Sequence, residues 1–179
     1  MALRGELEGL SYILNAFVVQ SWFGTEIPRE RVGEVRRFFE EAKGWGDDIG
    51  DASRISAKSD DELLGLLKGM AKYERTVATG IPTPVLDHVI ANPPQTWGIE
   101  LRRKFSDLRW HVYLLDSDAE RMNQNYQITF TVPKICPIGD PMADRAQALF
   151  ASHQSIVQSY TKRADILLQK VHAVIDELQ

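Results

Sequence analysis

The sequence predicts an all-α fold, an up-and-down helical bundle with a long antiparallel helical hairpin near the C-terminus, and two regular apolar seams carry that expectation. In the first, Leu101, Phe105, Leu108, Val112, Leu115, Ala119, Met122 and Tyr126 alternate steps of four and three. In the second, Ala146, Phe150, His153, Val157, Tyr160, Ala164, Leu167, Val171, Val174 and Leu178 do the same. Spacing of this kind, sustained over more than three heptads, is that of helices packing side by side, so segments of roughly 97–127 and 141–178 are expected to face each other. A third observation points the same way: strand-like alternation occurs only around Ile128, Phe130 and Val132, and a lone strand has no partner. The 127–139 crossover is therefore expected to be extended rather than part of a sheet.

The remaining elements follow in order. Leu3, Leu7, Leu10, Leu14 and Phe17 give one stripe on a first helix from Ala2 to about Phe23, which Val18, Trp22 and Phe23 widen and Gly24 stops. A second helix starts near Pro28, a residue suited to the first helical position, with Val32, Val35, Phe38, Phe39 and Ala42 inside. Gly44 to Asp51 holds three glycines and three aspartates in eight residues and reads as a loop. Ser59 with Glu62 three residues on forms a capping box for a third helix, with Leu63, Leu66, Leu67, Met70 and Val77 inside and Gly80 at its end. Gly65 and Gly69 cost that helix stability and are expected to let a neighbouring helix approach closely. A short fourth helix, Pro84 to Ala91, has Thr83 as cap and stops before Asn92-Pro93-Pro94. Asp140-Pro141 restarts helix after the crossover. One domain over 1–179 is expected, with a sub-division near 92–96 as the alternative.

Composition narrows the function. The 179 residues are 44% hydrophobic and 26% charged, ordinary for a globular chain. Cys136 is the only cysteine, so neither an internal disulfide nor a cysteine zinc site can form, in keeping with a reducing, cytoplasmic location. No apolar run reaches the roughly 18 residues of a membrane span, and the acidic N-terminus does not resemble a leader. Residues 1–95 carry 11 basic and 15 acidic side chains, and 96–179 carry 10 of each. That balance disfavours a protein working mainly through phosphate contacts.

Motifs exclude more than they assign. No phosphate-binding loop is present, the glycines at 44, 46 and 50 are misplaced for a dinucleotide fingerprint, and the same segment fails as a calcium loop. None of the four histidines follows a glutamate by three, as a di-iron bundle requires. Asp107 with His111, and His172 with Asp176, are i,i+4 pairs that read as helix-face ion pairs rather than metal ligands. His153 occupies a seam position, where a hydrogen-bonded interior histidine is the plain reading and a cleft residue the alternative. Cys136, between Ile135 and Pro137, reads as a structural thiol. No cofactor and no metal is expected.

Arg121-Met122-Asn123-Gln124-Asn125-Tyr126, late on a long bundle helix, is similar to the Arg-x4-6-His signature of the HEPN ribonucleases, themselves helical bundles. Tyr126 stands where the histidine would fall, so the resemblance assigns no catalytic residue.

The function expected is a non-catalytic protein–protein interaction module, either a homo-oligomer or a small subunit of a larger complex. Trp22, Phe23, Trp45, Trp97 and Trp110 exceed what one bundle readily hides, and Trp97, Trp110 and Tyr160 are the candidate contact residues. The alternative is a nucleic-acid-associated subunit in a larger assembly, touching backbone phosphate through Arg102, Arg103, Lys104 and Arg109. Arg29, Arg36 and Arg37 recur on the second helix but are interleaved with Glu30, Glu34, Glu40 and Glu41. A bundle-core enzyme using His111, His153 or His172 would need those histidines to converge.

Overall fold

The computed structural model describes residues 2–42, 52–70, 81–131 and 141–178. Its elements are α1 (Ala2–Ser21), a 3₁₀ turn (Arg29–Arg31), α2 (Val32–Ala42), α3 (Ala52–Ser56), α4 (Asp60–Gly69), α5 (Pro84–Ala91), α6 (Ile99–Thr131) and α7 (Pro141–Glu177). The fold is all-α, with no strand among the described residues.

The described side chains of the two seams lie where their spacing puts them; those of Tyr126, Ala146 and Phe150 lie outside the description. Phe105, Leu108, Val112, Leu115, Ala119 and Met122 of α6 are buried, as are Tyr160, Ala164, Leu167, Leu168, Val171 and Val174 of α7. Polar residues at the edges of the seam record the register: Lys104 pairs with Glu177, Lys170 with Asp107, and Arg163 with Asp118 at 2.8 Å. Residue numbers rise on α6 as they fall on α7, so the pair is antiparallel. The two pairs between half-exposed partners, Lys104–Glu177 and Lys170–Asp107, are each worth about 1 kcal/mol or less, whereas burying one leucine is worth about 2 kcal/mol. Packing holds α6 against α7, and the charges fix which turn meets which.

α1 lies on another side of α7, also antiparallel, with Ser11 opposite His172 and Phe17 edge-on to Tyr160. α5 closes the core through Leu86, and Ile81 just before it joins the same cluster. The N-terminus of α5 departs from expectation. Thr83 makes no side-chain capping bond; instead the Glu6 carboxylate, reaching from α1, accepts the N–H groups of Val85 (2.9 Å) and Leu86 (2.7 Å). Those donors have no partner inside the helix, and an anion beside the positive end of α5 suits them twice over.

A second cluster joins the end of α1 to α2 and α4: Val19, Val35, Phe38, Phe39, Leu63 and Leu67. Trp22 packs against both clusters. α1 ends at Ser21, and Gly24 takes a left-handed φ of 73°, which a side chain would resist; its N–H donates to the Leu67 carbonyl in the last turn of α4 at 2.9 Å. Arg36 donates to the carbonyls of Ser56 and Lys58 and to the Asp60 carboxylate, tying the end of α3 to the start of α4. At that start, Glu62 Oε2 accepts the Ser59 N–H at 2.9 Å and its hydroxyl at 2.6 Å.

Four further expectations change. Pro28 precedes a 3₁₀ turn, and the α-helix begins only at Val32. α4 stops at Gly69, where Met70 turns extended (ψ 147°), so it is shorter than the capping box and Leu spacing suggested; Val77 and Gly80 lie outside the described residues. A Cβ placed on Gly65 or Gly69 meets nothing within 4 Å, so no close helix approach explains either glycine. Residues 127–131 continue α6 instead of forming an extended crossover. The Gly44–Asp51 loop, Trp45, Cys136 and 132–139 lie outside the described residues. The main core takes residues from both sides of 92–96, Leu86 before and Phe105 after.

Candidate functional site

Successive residues on a helix turn by about 100°, which decides what α6 can present. Arg109 points to α5, where it pairs with Asp87; Lys104 and Asp107 point to α7. The side left over carries Ile99, Arg103, Trp110 and Tyr113. Ile99 is 81% exposed, and Trp110 and Tyr113, one turn apart, are each 56% exposed. Their rings stack on one another at 5.6 Å between centroids and 24° between planes. Offset stacking of this kind holds two aromatic rings in fixed positions, with the outer faces presented to solvent.

The other candidate contact residues are placed differently. Trp97 is half-buried and lies flat on Phe105, centroids 4.7 Å apart, covering the end of the core. Tyr160 is 1% exposed, so it is a core residue and not a surface contact: its seam position faces α1 as well as α6. Burial pushes its hydroxyl pKa up, with Asp116 and Asp118 adding to the effect.

The four cations do not form a strip. Arg102, Arg103 and Lys104 are consecutive and so point in three directions. Arg102 caps the 94–97 turn, donating to the carbonyls of Trp97 (3.1 Å) and Pro94 (3.3 Å). Lys104 and Arg109 are in ion pairs. Arg103 is exposed, on the same side as Trp110.

The histidines are distributed along the bundle. His111 sits 3.7 Å from Asp107; burial, the largest influence, lowers its pKa, against the pull of Asp107. His153 is 3% exposed and burial lowers its pKa. It lies 19 residues, about 28 Å of helix, from His172 on the same α7. Those two cannot share a metal. Among the described residues, no three His, Cys, Asp or Glu side chains are grouped to hold a metal ion.

His172 belongs to a polar seam between α1, α2 and α7. Its Nε2 lies 2.7 Å from Ser11 Oγ and 3.0 Å from Arg37 Nη1. A guanidinium can only donate, so Nε2 is an acceptor and the ring is neutral with its proton on Nδ1. Burial first, then Arg37, lowers the His172 pKa, while Glu34 and Asp176 oppose them. Next along the seam, Asn15 donates to the Glu34 carbonyl at 3.2 Å, and Arg31 makes a two-pronged bond to Asp165 (2.6 and 3.1 Å) and another to Glu34 (2.6 Å). Its guanidinium also lies 4.9 Å from the Trp22 ring centre. Ser11 and His172 have the separation of a nucleophile and its base. However, Arg37 occupies the same nitrogen, Ser11 is only 8% exposed, and the surrounding backbone N–H groups are committed to α1. The seam fixes how three helices pack.

One shallow depression of about 240 Å³, lined by Thr25, Ile27, Leu64 and Gly65, has the Glu26–Lys68 ion pair at its edge. Among the described residues, no helix is long and apolar enough to cross a membrane. Comparison with protein-family models, with curated proteins and with solved structures finds no match.

Sequence reasoning found Trp110 but missed Tyr113, and the signal was present. Starting at Ile99, a second row of positions runs down α6 with the same four-and-three spacing, two residues out of step with the buried seam. It also missed Ser11, and placed Arg37 only in a charge-interleaved stripe of the second helix; the partner of both is distant in sequence.

Proposed function

We propose that the chain is a non-catalytic interaction module, an up-and-down bundle whose C-terminal hairpin of α6 and α7 presents the outer side of α6 to a helix of a protein partner. One observation carries the reading: Trp110 and Tyr113 are large, mutually stacked and each 56% exposed on the side of α6 turned away from α5 and α7. Interface centres favour such aromatic anchors, because they offer much apolar area for little lost rotamer freedom. The polar residues around them supply the rim that a docking surface needs.

A photo-cross-linking phenylalanine analogue in place of Tyr113 tests this in cells. A covalent adduct to a polypeptide is expected there, absent with the analogue at exposed Glu8 on α1, and lost when Trp110→Ala is added. No adduct at 113, or equal adducts at both positions, would overturn it.

A further inference from the structure

Resting on that reading, we infer that the partner is a second copy of this chain, docked α6 against α6 in antiparallel orientation about a two-fold axis between Trp110 and Tyr113. The outward row on α6 is the basis. Reversed about the point midway between 110 and 113, its central part maps onto itself: Trp110 falls opposite Tyr113, Ser106 opposite Ser117, and Arg103 opposite Glu120, while Ile99 at the row's start falls opposite Gln124. The spacing is that of core positions in a two-helix seam, and in an antiparallel seam the two kinds of core position meet one another. Each aromatic thus meets the other type of ring, each serine a serine, and each cation an anion. In a parallel pairing Arg103 would face Arg103 and Glu120 would face Glu120, and like charges repel.

The two charged side chains are free to do this, while the Ser106 hydroxyl donates to the Arg102 carbonyl of its own helix at 3.2 Å. Arg103, Ser106 and Glu120 are exposed, Ser117 is half-buried, and Arg103 and Glu120 lie outside the ion pairs that join α6 to α5 and α7. An isologous contact needs one patch that complements itself, and this row does so without a second surface. The strip from 103 to 120 is about 26 Å long, small for a protein interface, so dimerisation in the micromolar range is expected.

Sedimentation of the full chain from about 1 to about 300 µM reads the equilibrium directly. A reversible dimer is expected. Arg103→Glu and Glu120→Arg, each alone, should weaken it about tenfold, and the double variant should recover it, because both cross-chain pairs are then restored with their signs exchanged. Trp110→Ala should weaken it about thirtyfold or more. All these positions are on the surface, so circular dichroism should show unchanged helix. A monomer throughout that range, or a dimer indifferent to both charge reversals, overturns the inference. The cross-linking experiment separates the two readings: an adduct joining Tyr113's position to a different polypeptide, with the purified chain monomeric, sinks the dimer and leaves the interaction module standing.

Discussion

His172 shows what a single side chain contributes when three helices converge on it. Its acceptor nitrogen takes bonds from Ser11 and Arg37, and protonation would replace that acceptor with a cation facing a guanidinium. Glu34 and Asp176 lie on the opposing side of the balance without overturning it. The folded pKa is therefore below the unfolded value of about 6.5, as it also is for His111 and His153. Between the two values the unfolded chain binds more protons, so stability is full above about pH 6.5 and falls as pH drops through the folded pKa values. The melting temperature should be lower near pH 5.5 than near pH 7.5. His172→Gln, which keeps an acceptor but cannot titrate in this range, should flatten part of that slope; an unchanged slope would remove His172 from the account. The sequence displayed only the histidine's neighbour on its own helix, Asp176. Spacing reveals partners within a helix, and the bonds from positions 11 and 37 depend on how helices assemble.

Helix ends were the least legible feature at the level of elements. α5 has a threonine in the cap position, yet its free N–H groups are met by Glu6, seventy-nine and eighty residues away. A local rule cannot see a cap supplied by another helix. Glu6→Ala should cost about 1–2 kcal/mol in chemical denaturation and loosen α5 first, whereas a loss near zero would mean that water replaces the carboxylate. α6 departs from expectation in another way. Ile128, Thr129, Phe130 and Thr131 favour a strand by residue type, but once a helix is nucleated such residues cost it only tenths of a kcal/mol each. Gly65 is not the packing device that its spacing with Gly69 predicts. With open space around it and helical backbone, Gly65→Ala should stabilise the fold by about 0.5–1 kcal/mol, seen as a raised melting temperature; destabilisation would mean a contact on that face of α4.

Across the whole molecule, the long seams told most. Their spacing placed every described apolar position of the 101–122 row at least partly inside, and the ion pairs between α6 and α7 run in opposite residue order along the two helices. The second cluster, of α1, α2 and α4, was much harder to read, because short helices show few repeats and their pairing is not written in any one of them. The outward row on α6 was legible in principle and overlooked, since a row with only three apolar residues does not look like a seam until the buried one beside it is subtracted.

Trp22 has a consequence for cooperativity. Its indole belongs to both clusters, and Arg31, lying against it, grips Asp165 on α7. Opening α2 and α4 while the rest stays folded would uncover that indole and leave Asp165 without its cation. The energy of a partial opening is thereby raised toward that of global unfolding, and the two clusters are expected to melt in one transition.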